Sequence, residues 1–258
     1  MRSDQPRAPG ARRSGQTEDE RLLAAPVAGP ERRTGTSSEP WRVLRIMGEF
    51  VEGFDTLADV RDGVTLFGSA RVKPEDPMYG SAVETSRLLA KAGFTVITGG
   101  GPGIMEAGNK GARLGDGRSI GLNIELPFEQ GTNEYVETSI HFRYFFVRKM
   151  MFVKYSVGFV VFPGGFGTMD ELFEALTLIQ TSKIKHFPVV LFGSRYWQGL
   201  IQWMRDTMAA ERKIDPRDLE LFSLTDDPVV AVQALTTARE QLVATAAEGG
   251  AHGSYGNF

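Results

Sequence analysis

Cysteine is absent from the 258-residue chain, and with it go disulfides, thiolate catalysis and cysteine-based zinc sites. Histidine is scarce. His141, His186 and His252 lie far apart and form no helix-borne pair spaced to grip a metal, so no metal site is expected. No apolar run approaches the ~20 residues of a membrane span, and no membrane partner is expected. The arginines near the N-terminus are followed by no apolar leader segment, so a secretory signal is not read and a cytoplasmic location is expected. An excess of positive charge is also missing: a net charge of −3 and a pI of 5.8 argue against a nucleic-acid partner.

What is present is ordinary in bulk. With 41% hydrophobic and 24% charged residues, the chain suits a globular protein with a sizeable core. An α/β fold of ~200–250 residues is commonly one domain. Met1 to Glu39 is rich in Arg, Pro, Gly, Ser and Thr and buries too little apolar surface to offset the entropy of ordering, so residues 1–39 are expected to be disordered. Arg12, Arg13, Arg32 and Arg33 read there as solvated charges. Residues 249–258 are expected to form a second flexible tail, leaving residues 40–248 as one domain. Its first element, over residues 40–60, is a helix opened by Pro40 behind Ser37 or Ser38. Trp41, Leu44, Met47, Val51, Phe54 and Ala58 make one apolar face of it.

From Val64 onward, strand and helix patterns alternate. Apolar runs at Val64–Phe67, Phe94–Thr98, Ser119–Leu126, Val157–Phe162 and Phe187–Phe192 predict five strands. Helical patterns lie over Tyr79–Ala92, Ile104–Arg113 and Phe142–Lys154, with others beginning near Met169, Tyr196 and Pro228. Strands that are continuously apolar indicate a parallel sheet covered on both faces. The expected fold is therefore α/β: a Rossmann-like doubly wound parallel sheet. Ligands of such sheets bind beyond the carboxyl ends of the strands. Three of those ends carry Gly/Ser-rich turns, at Gly68-Ser69, Gly99–Gly103 and Gly164–Thr168. Glycines at one such turn serve tight backbone geometry, but three at one edge point to a phosphate-bearing ligand.

Familiar phosphate fingerprints fail in detail. Gly99 and Gly101 begin a G-x-G-x-x-G, yet its last position is Ile104; Glu125 is the only candidate ribose-binding acid. Gly103 and Gly108 have P-loop spacing but lead into Asn109-Lys110, which does not support a magnesium-nucleotide site. No lysine is singled out as a Schiff-base former.

Two charged groups remain ambiguous from the residues alone. In Thr168-Met169-Asp170-Glu171, Glu171 either completes a Thr-x-x-Glu capping box or presents its carboxylate to a ligand beside the glycine turn. Arg148 and Lys149 interrupt an apolar helix, Phe145-Phe146-Val147 before them and Met150-Met151-Phe152 after. Unpaired burial of two cations is prohibitive, so they either snorkel to water or meet an anion.

These residues resemble the Lonely Guy (LOG) family, long mislabelled as lysine decarboxylases. The resemblance rests on Gly-Gly-Gly-Pro-Gly-Ile-Met-Glu at 99–106, Arg-Lys at 148–149 and Pro-Gly-Gly-Phe-Gly-Thr-Met-Asp-Glu at 163–171, and it covers about Val64 to Leu235. It implies hydrolysis of the N-glycosidic bond of nucleoside 5′-monophosphates, cytokinin ribotides or AMP, to free base and ribose 5-phosphate, with no cofactor. By the resemblance Arg148 and Glu171 are catalytic, while Gly164, Gly165, Gly167 and Thr168 hold the phosphate. Gly100, Gly101 and Gly103 belong to the substrate site, and Ser69, Glu129 and Lys149 line the nucleotide. Asp170 is left with a helix-end role. The resemblance also implies a homodimer with active sites at the interface, and higher assembly in longer members. A non-enzymatic molybdenum-cofactor or nucleotide carrier on the same scaffold is the alternative; a dinucleotide oxidoreductase ranks third.

Overall fold

The structure, a computed structural model, describes residues 17–23, 39–126, 131–184 and 187–250. Two helices come first, the short α1 (Glu18–Leu23) and the 18-residue α2 (Glu39–Thr56). The alternating part follows as β1 (Gly63–Phe67), α3 (Pro77–Lys91), β2 (Thr95–Thr98), α4 (Ile104–Leu114) and β3 (Ser119–Ile124). Then come β4 (Thr138–Phe142), α5 (Phe145–Lys154), β5 (Ser156–Val161), α6 (Phe166–Gln180) and β6 (Val189–Phe192). The chain closes with α7 (Ser194–Trp203), β7 (Phe222–Thr225) and α8 (Pro228–Gly250). All strand pairs are parallel, in the order β4-β3-β2-β1-β5-β6-β7. This is the expected doubly wound sheet.

Both sheet faces are covered, which is why the strands read as unbroken apolar runs. Successive residues of β5 serve opposite cores. Phe159 and Val161 pack with Leu57, Phe152, Leu172 and Trp197 on one side. Val160 and Phe162 pack with Leu66, Tyr79, Leu89 and Leu235 on the other. The order of strands reverses between β1 and β5, and a crevice opens at the carboxyl ends flanking such a reversal. The Gly68-Ser69 and Pro163–Gly167 turns stand at those two ends.

Seven strands form where five were expected. The additional strands, β4 and β7, are the two edges of the sheet. Edge strands bury one face at most, and both are correspondingly polar: in β4 only Ile140 and Phe142 are buried, and in β7 none of the four residues is. Phe142 accordingly ends a strand, and the helix that was expected to begin there starts at Phe145.

Helix α2 forms as expected but faces the other way. Its buried positions include Arg42, Glu49 and Gly53, with Ile46 and Phe50 partly buried against the core, whereas Trp41, Leu44, Met47, Val51 and Phe54 are exposed. The apolar stripe read from the sequence therefore points outward. A Cβ on Gly53 would lie 2.8 Å from Met151 Cε, so a larger residue there would make the Met151 side chain shift. Glu49 then reaches the start of α5, where its two carboxylate oxygens accept hydrogen bonds from the Arg143 amide, each at 3.1 Å, and one from the Tyr144 amide at 3.4 Å. Tyr144 itself offers no side-chain cap to α5, so an acid from another helix supplies it.

The expectation of disorder through residue 39 does not hold for α1. Thr17 Oγ1 accepts from the Glu20 amide, a local cap that a compositional reading overlooks. Asp19 Oδ2 accepts from the Phe145 amide at 3.1 Å, and Glu18 accepts from Tyr144 Oη at 3.2 Å. Tertiary contacts thus order a segment too short to be stable alone. The remainder of the N-terminal stretch, the Ser37 and Ser38 caps, Glu129, His186, His252 and residues 251–258 lie outside the described residues. Among the described residues, no helix is long and apolar enough to cross a membrane, and no cluster of His, Cys, Asp or Glu is arranged to hold a metal ion.

The capping role of Glu49 is open to a direct check. Glu49→Ala is expected to cost about 1–2 kcal/mol, the usual value of a lost helix cap. Calorimetry should show a fall in Tm of about 2–4 °C for each kcal/mol lost. An unchanged Tm would mean that α5 is held by other contacts.

Candidate active site

A cavity of about 880 Å³ lies at the β1/β5 crevice. Its walls come from the three glycine-rich turns, from α5 and α6, and from the start of α7. The turns are tied to one another through their backbones. The Ser69 amide donates to Pro163 O at 2.9 Å, and the Ile104 amide donates to Ser69 O at 3.1 Å. Ser69 Oγ accepts from the Arg71 amide at 3.1 Å. One residue thus links the end of β1 to the end of β5 and to the start of α4.

The Gly99–Gly103 turn is held by a buried polar network. Thr98 Oγ1 accepts from the Gly100 amide at 2.9 Å and donates to Asn109 Oδ1 at 2.6 Å. Asn109 Nδ2 donates to Ser119 Oγ and to Ile120 O, joining α4 to β3. Asn133 Nδ2 donates to Gly100 O, Gly101 O and Asn109 Oδ1. Gly100 and Gly103 have φ of 72° and 71°, a conformation open chiefly to glycine. Of the predicted glycines in this turn, Gly101 lines the cavity, together with Gly99; Gly100 and Gly103 shape the turn from behind.

Helix α6 begins at Phe166 with Gly165 as its N-cap, and Gly165 provides no side-chain cap. The first helical bond runs from the Met169 amide to Gly165 O at 3.0 Å. The amides of residues 166–168 precede it and have no intrahelical acceptor. Such an end is positive by its dipole and presents N–H groups, a geometry suited to an anion. Tyr196, from α7, donates its hydroxyl to Gly164 O at 2.5 Å. The capping box does not form: Thr168 stands inside the helix rather than at its N-cap, and Glu171 sits one turn further on.

Glu171 is 6% exposed, and its Oε2 has no hydrogen-bond partner. Burial pushes its pKa up to about 7. Lys149 and Arg148 oppose that rise, while Glu174 and Asp170 add to it. An orphaned, desolvated carboxyl facing a cavity is costly to maintain, and groups of this kind concentrate where chemistry is done.

Arg148 faces the same cavity from α5. Its Nε donates to Leu122 O at 2.7 Å, and its guanidinium carbon stands 5.0 Å from the Phe152 ring centre. Desolvation draws its pKa down to about 10, countered by Glu171, so it stays charged at neutral pH. A Cβ on Gly99 would lie 2.4 Å from Arg148 Nη2. The first glycine of the triplet is therefore needed for the space the guanidinium occupies.

Arg148, Glu171, Ser69, Gly101, Gly164, Gly165, Gly167 and Thr168 thus converge on one cavity. Lys149 does not. Its Nζ is held 2.9 Å from both Asp170 Oδ1 and Glu174 Oε2 and faces a separate, shallower groove on the outside of α6. Asp170 accordingly has more than a helix-end role. The sequence reading missed Arg71, Asn123 and Tyr196, all of which line the cavity. Arg71 alone had a local signal, being next but one to the Gly68-Ser69 turn.

A family model described as "Possible lysine decarboxylase" matches residues 105–235, just over half of the chain. The chain belongs to this family. Its LOG-type character shows in the relatives. The chain is 33% identical over 155 residues to a cytokinin riboside 5′-monophosphate phosphoribohydrolase of Mycobacterium tuberculosis, covering 59% of this chain and 82% of that protein. It is 29% identical over 142 residues to a pyrimidine/purine nucleotide 5′-monophosphate nucleosidase of Escherichia coli (strain K12), covering 51% of this chain. It spans about a third, 31%, of the length of that relative. Among solved structures, the molybdenum cofactor binding protein of Rippkaea orientalis matches with a TM-score of 0.52 at 21% identity, covering 69% of this chain and 96% of that one. That likeness is one of fold. The LOG-type assignment agrees with the three motifs.

The raised pKa of Glu171 has a consequence for stability. A carboxyl whose folded pKa lies above its unfolded value contributes stability at low pH that is lost as pH rises through the folded pKa. Wild type is therefore expected to lose stability between about pH 4.5 and pH 7, by a few kcal/mol at most. Glu171→Gln removes this loss. The Tm of the variant minus that of wild type should grow more positive from about pH 5 to about pH 8. A pH-independent difference would show that the carboxyl is not desolvated in solution.

Proposed function

We propose that the protein hydrolyses the N-glycosidic bond of nucleoside 5′-monophosphates, releasing free base and ribose 5-phosphate. The observation that carries this reading is the orphaned Glu171 carboxyl, which lines the same cavity as the first residues of α6. A phosphate on the amides of those residues leaves the attached ribose within the same cavity, beside Glu171. As the bond from C1′ to the base nitrogen breaks, positive charge builds on the sugar. A fixed carboxylate is worth most at that stage, and one well-placed electrostatic group typically contributes ~3–4 kcal/mol to the barrier. Water then forms the new C–O bond at C1′, and its proton balances the departing base. Arg148, charged and oriented by Leu122 O, provides a second fixed charge for the sugar hydroxyls or the leaving base. The names of the relatives support the same substrate class.

The assembly proposed is a homodimer. The exposed stripe of α2 and the exposed Phe145, Phe146 and Met150 of α5 make an apolar area of the kind that marks protein–protein contact. A carrier function remains the competing reading, since one fold hosts both binding and catalysis.

Purified protein incubated with AMP and with isopentenyladenosine monophosphate is expected to release free base, followed by chromatography. Glu171→Gln should lower kcat by about two to three orders of magnitude while still binding nucleotide. In wild type, kcat should fall as pH drops below about 7, where Glu171 takes up a proton. Folded protein that is stabilised by the monophosphates yet yields no base from either would favour the carrier.

A further inference from the structure

The charges around the cavity are unevenly committed. Of the cations near it, Lys149 is engaged by Asp170 and Glu174. Arg148 is bonded to Leu122 O and laid against Phe152, and it shares its end of the cavity with Glu171. Two acids, Asp170 and Glu171, also line the wall. A phosphate dianion entering here meets the α6 amides, which carry only partial charge. It needs a full positive charge that is not already spent.

Arg71 is that charge. Its side chain is exposed and lines the cavity, and among the described residues it makes no ion pair. Its position is nonetheless fixed through the backbone. The Arg71 amide donates to Ser69 Oγ, and the Ser69 amide donates to Pro163 O, the residue that opens the phosphate turn. The base of the side chain is thus two hydrogen bonds from Pro163, next to Gly164, while the side chain itself is exposed. A guanidinium suits this task, because its planar fork matches two phosphate oxygens at once.

We propose that Arg71 receives the 5′-phosphate from the cavity mouth, opposite the α6 amides, and thereby selects monophosphates over unphosphorylated nucleosides. This rests on the nucleotide reading of the cavity but not on hydrolysis. Arg71 binds the substrate at a distance from the bond that breaks, so its contribution is read directly in phosphate affinity.

The test is calorimetric binding of AMP, ribose 5-phosphate and adenosine to wild type, Arg71→Ala and Arg71→Lys, at low and high salt. The Ala variant is expected to bind both phosphate ligands about tenfold more weakly and adenosine as wild type does. Lys should recover part of the loss. Phosphate affinity should fall with salt in wild type and less steeply in the Ala variant, as a lost exposed charge requires. With turnover, kcat/KM for AMP should fall about tenfold in the Ala variant and recover in part with Lys. Unchanged phosphate affinity in Arg71→Ala, an equal loss for adenosine, or no binding of either phosphate ligand to wild type would overturn the proposal. Wild type that binds AMP without releasing base would overturn the hydrolase reading alone, leaving the binding ratios to judge Arg71.

Discussion

One hydrogen bond, from the Ser69 amide to Pro163 O, stands at the point on which the rest of the site depends. It joins the ends of β1 and β5, the neighbouring strands between which the order of the sheet reverses. Chains leaving these two strands run to opposite faces, so the turns would otherwise diverge. Held together, they place the start of α6 beside the Gly68-Ser69 turn, and the bond from Ile104 to Ser69 brings in α4 as well. Everything that faces the cavity is hung on this clip: the α6 amides, the Gly99–Gly103 turn and, through Gly99, the space for Arg148.

The geometry also explains how a costly group is kept. Glu171 is buried, unpaired on one oxygen and desolvated enough to hold its proton near neutrality. Its neighbours on α6, Asp170 and Glu174, would repel it further were they free. Lys149 binds both of them and moderates their field while facing away from the cavity. A cation expected to line the nucleotide thus serves from behind, by setting the charge that Glu171 feels.

How much of this was legible beforehand follows from what periodicity and motifs encode. The central strands were legible because burial on both faces makes them apolar without interruption; β4 and β7 were not, because an edge strand has no such run. That Arg148, Glu171 and the glycines of the Gly164–Gly167 turn belong together was legible because each lies in a contiguous motif; the structure brings them to one cavity. Tyr196 and Asn123 were not, since their places in the wall arise only when α7 and β3 are brought to the crevice by the fold. The ambiguity between capping box and ligand-facing carboxylate at Glu171 depended on where α6 starts. With Gly165 as N-cap, Thr168 falls inside the helix and the capping box does not form. The helix α1 was hidden by composition, since its order comes from acids that reach the amide of Phe145 and the hydroxyl of Tyr144.

Helix α2 inverts the usual relation between hydropathy and tolerance. Trp41, Leu44, Met47, Val51 and Phe54 meet solvent in the single chain, while Arg42 and Glu49 are enclosed beside the partly buried Ile46 and Phe50. A scan that scores substitutions by hydrophobicity would rank this helix backwards. Polar replacements at Met47 or Val51 would register as solubility, while an apolar residue at Glu49 would strip α5 of its cap. What such a scan would miss along α2 is an inner face on which two enclosed charges sit beside Ile46 and Phe50.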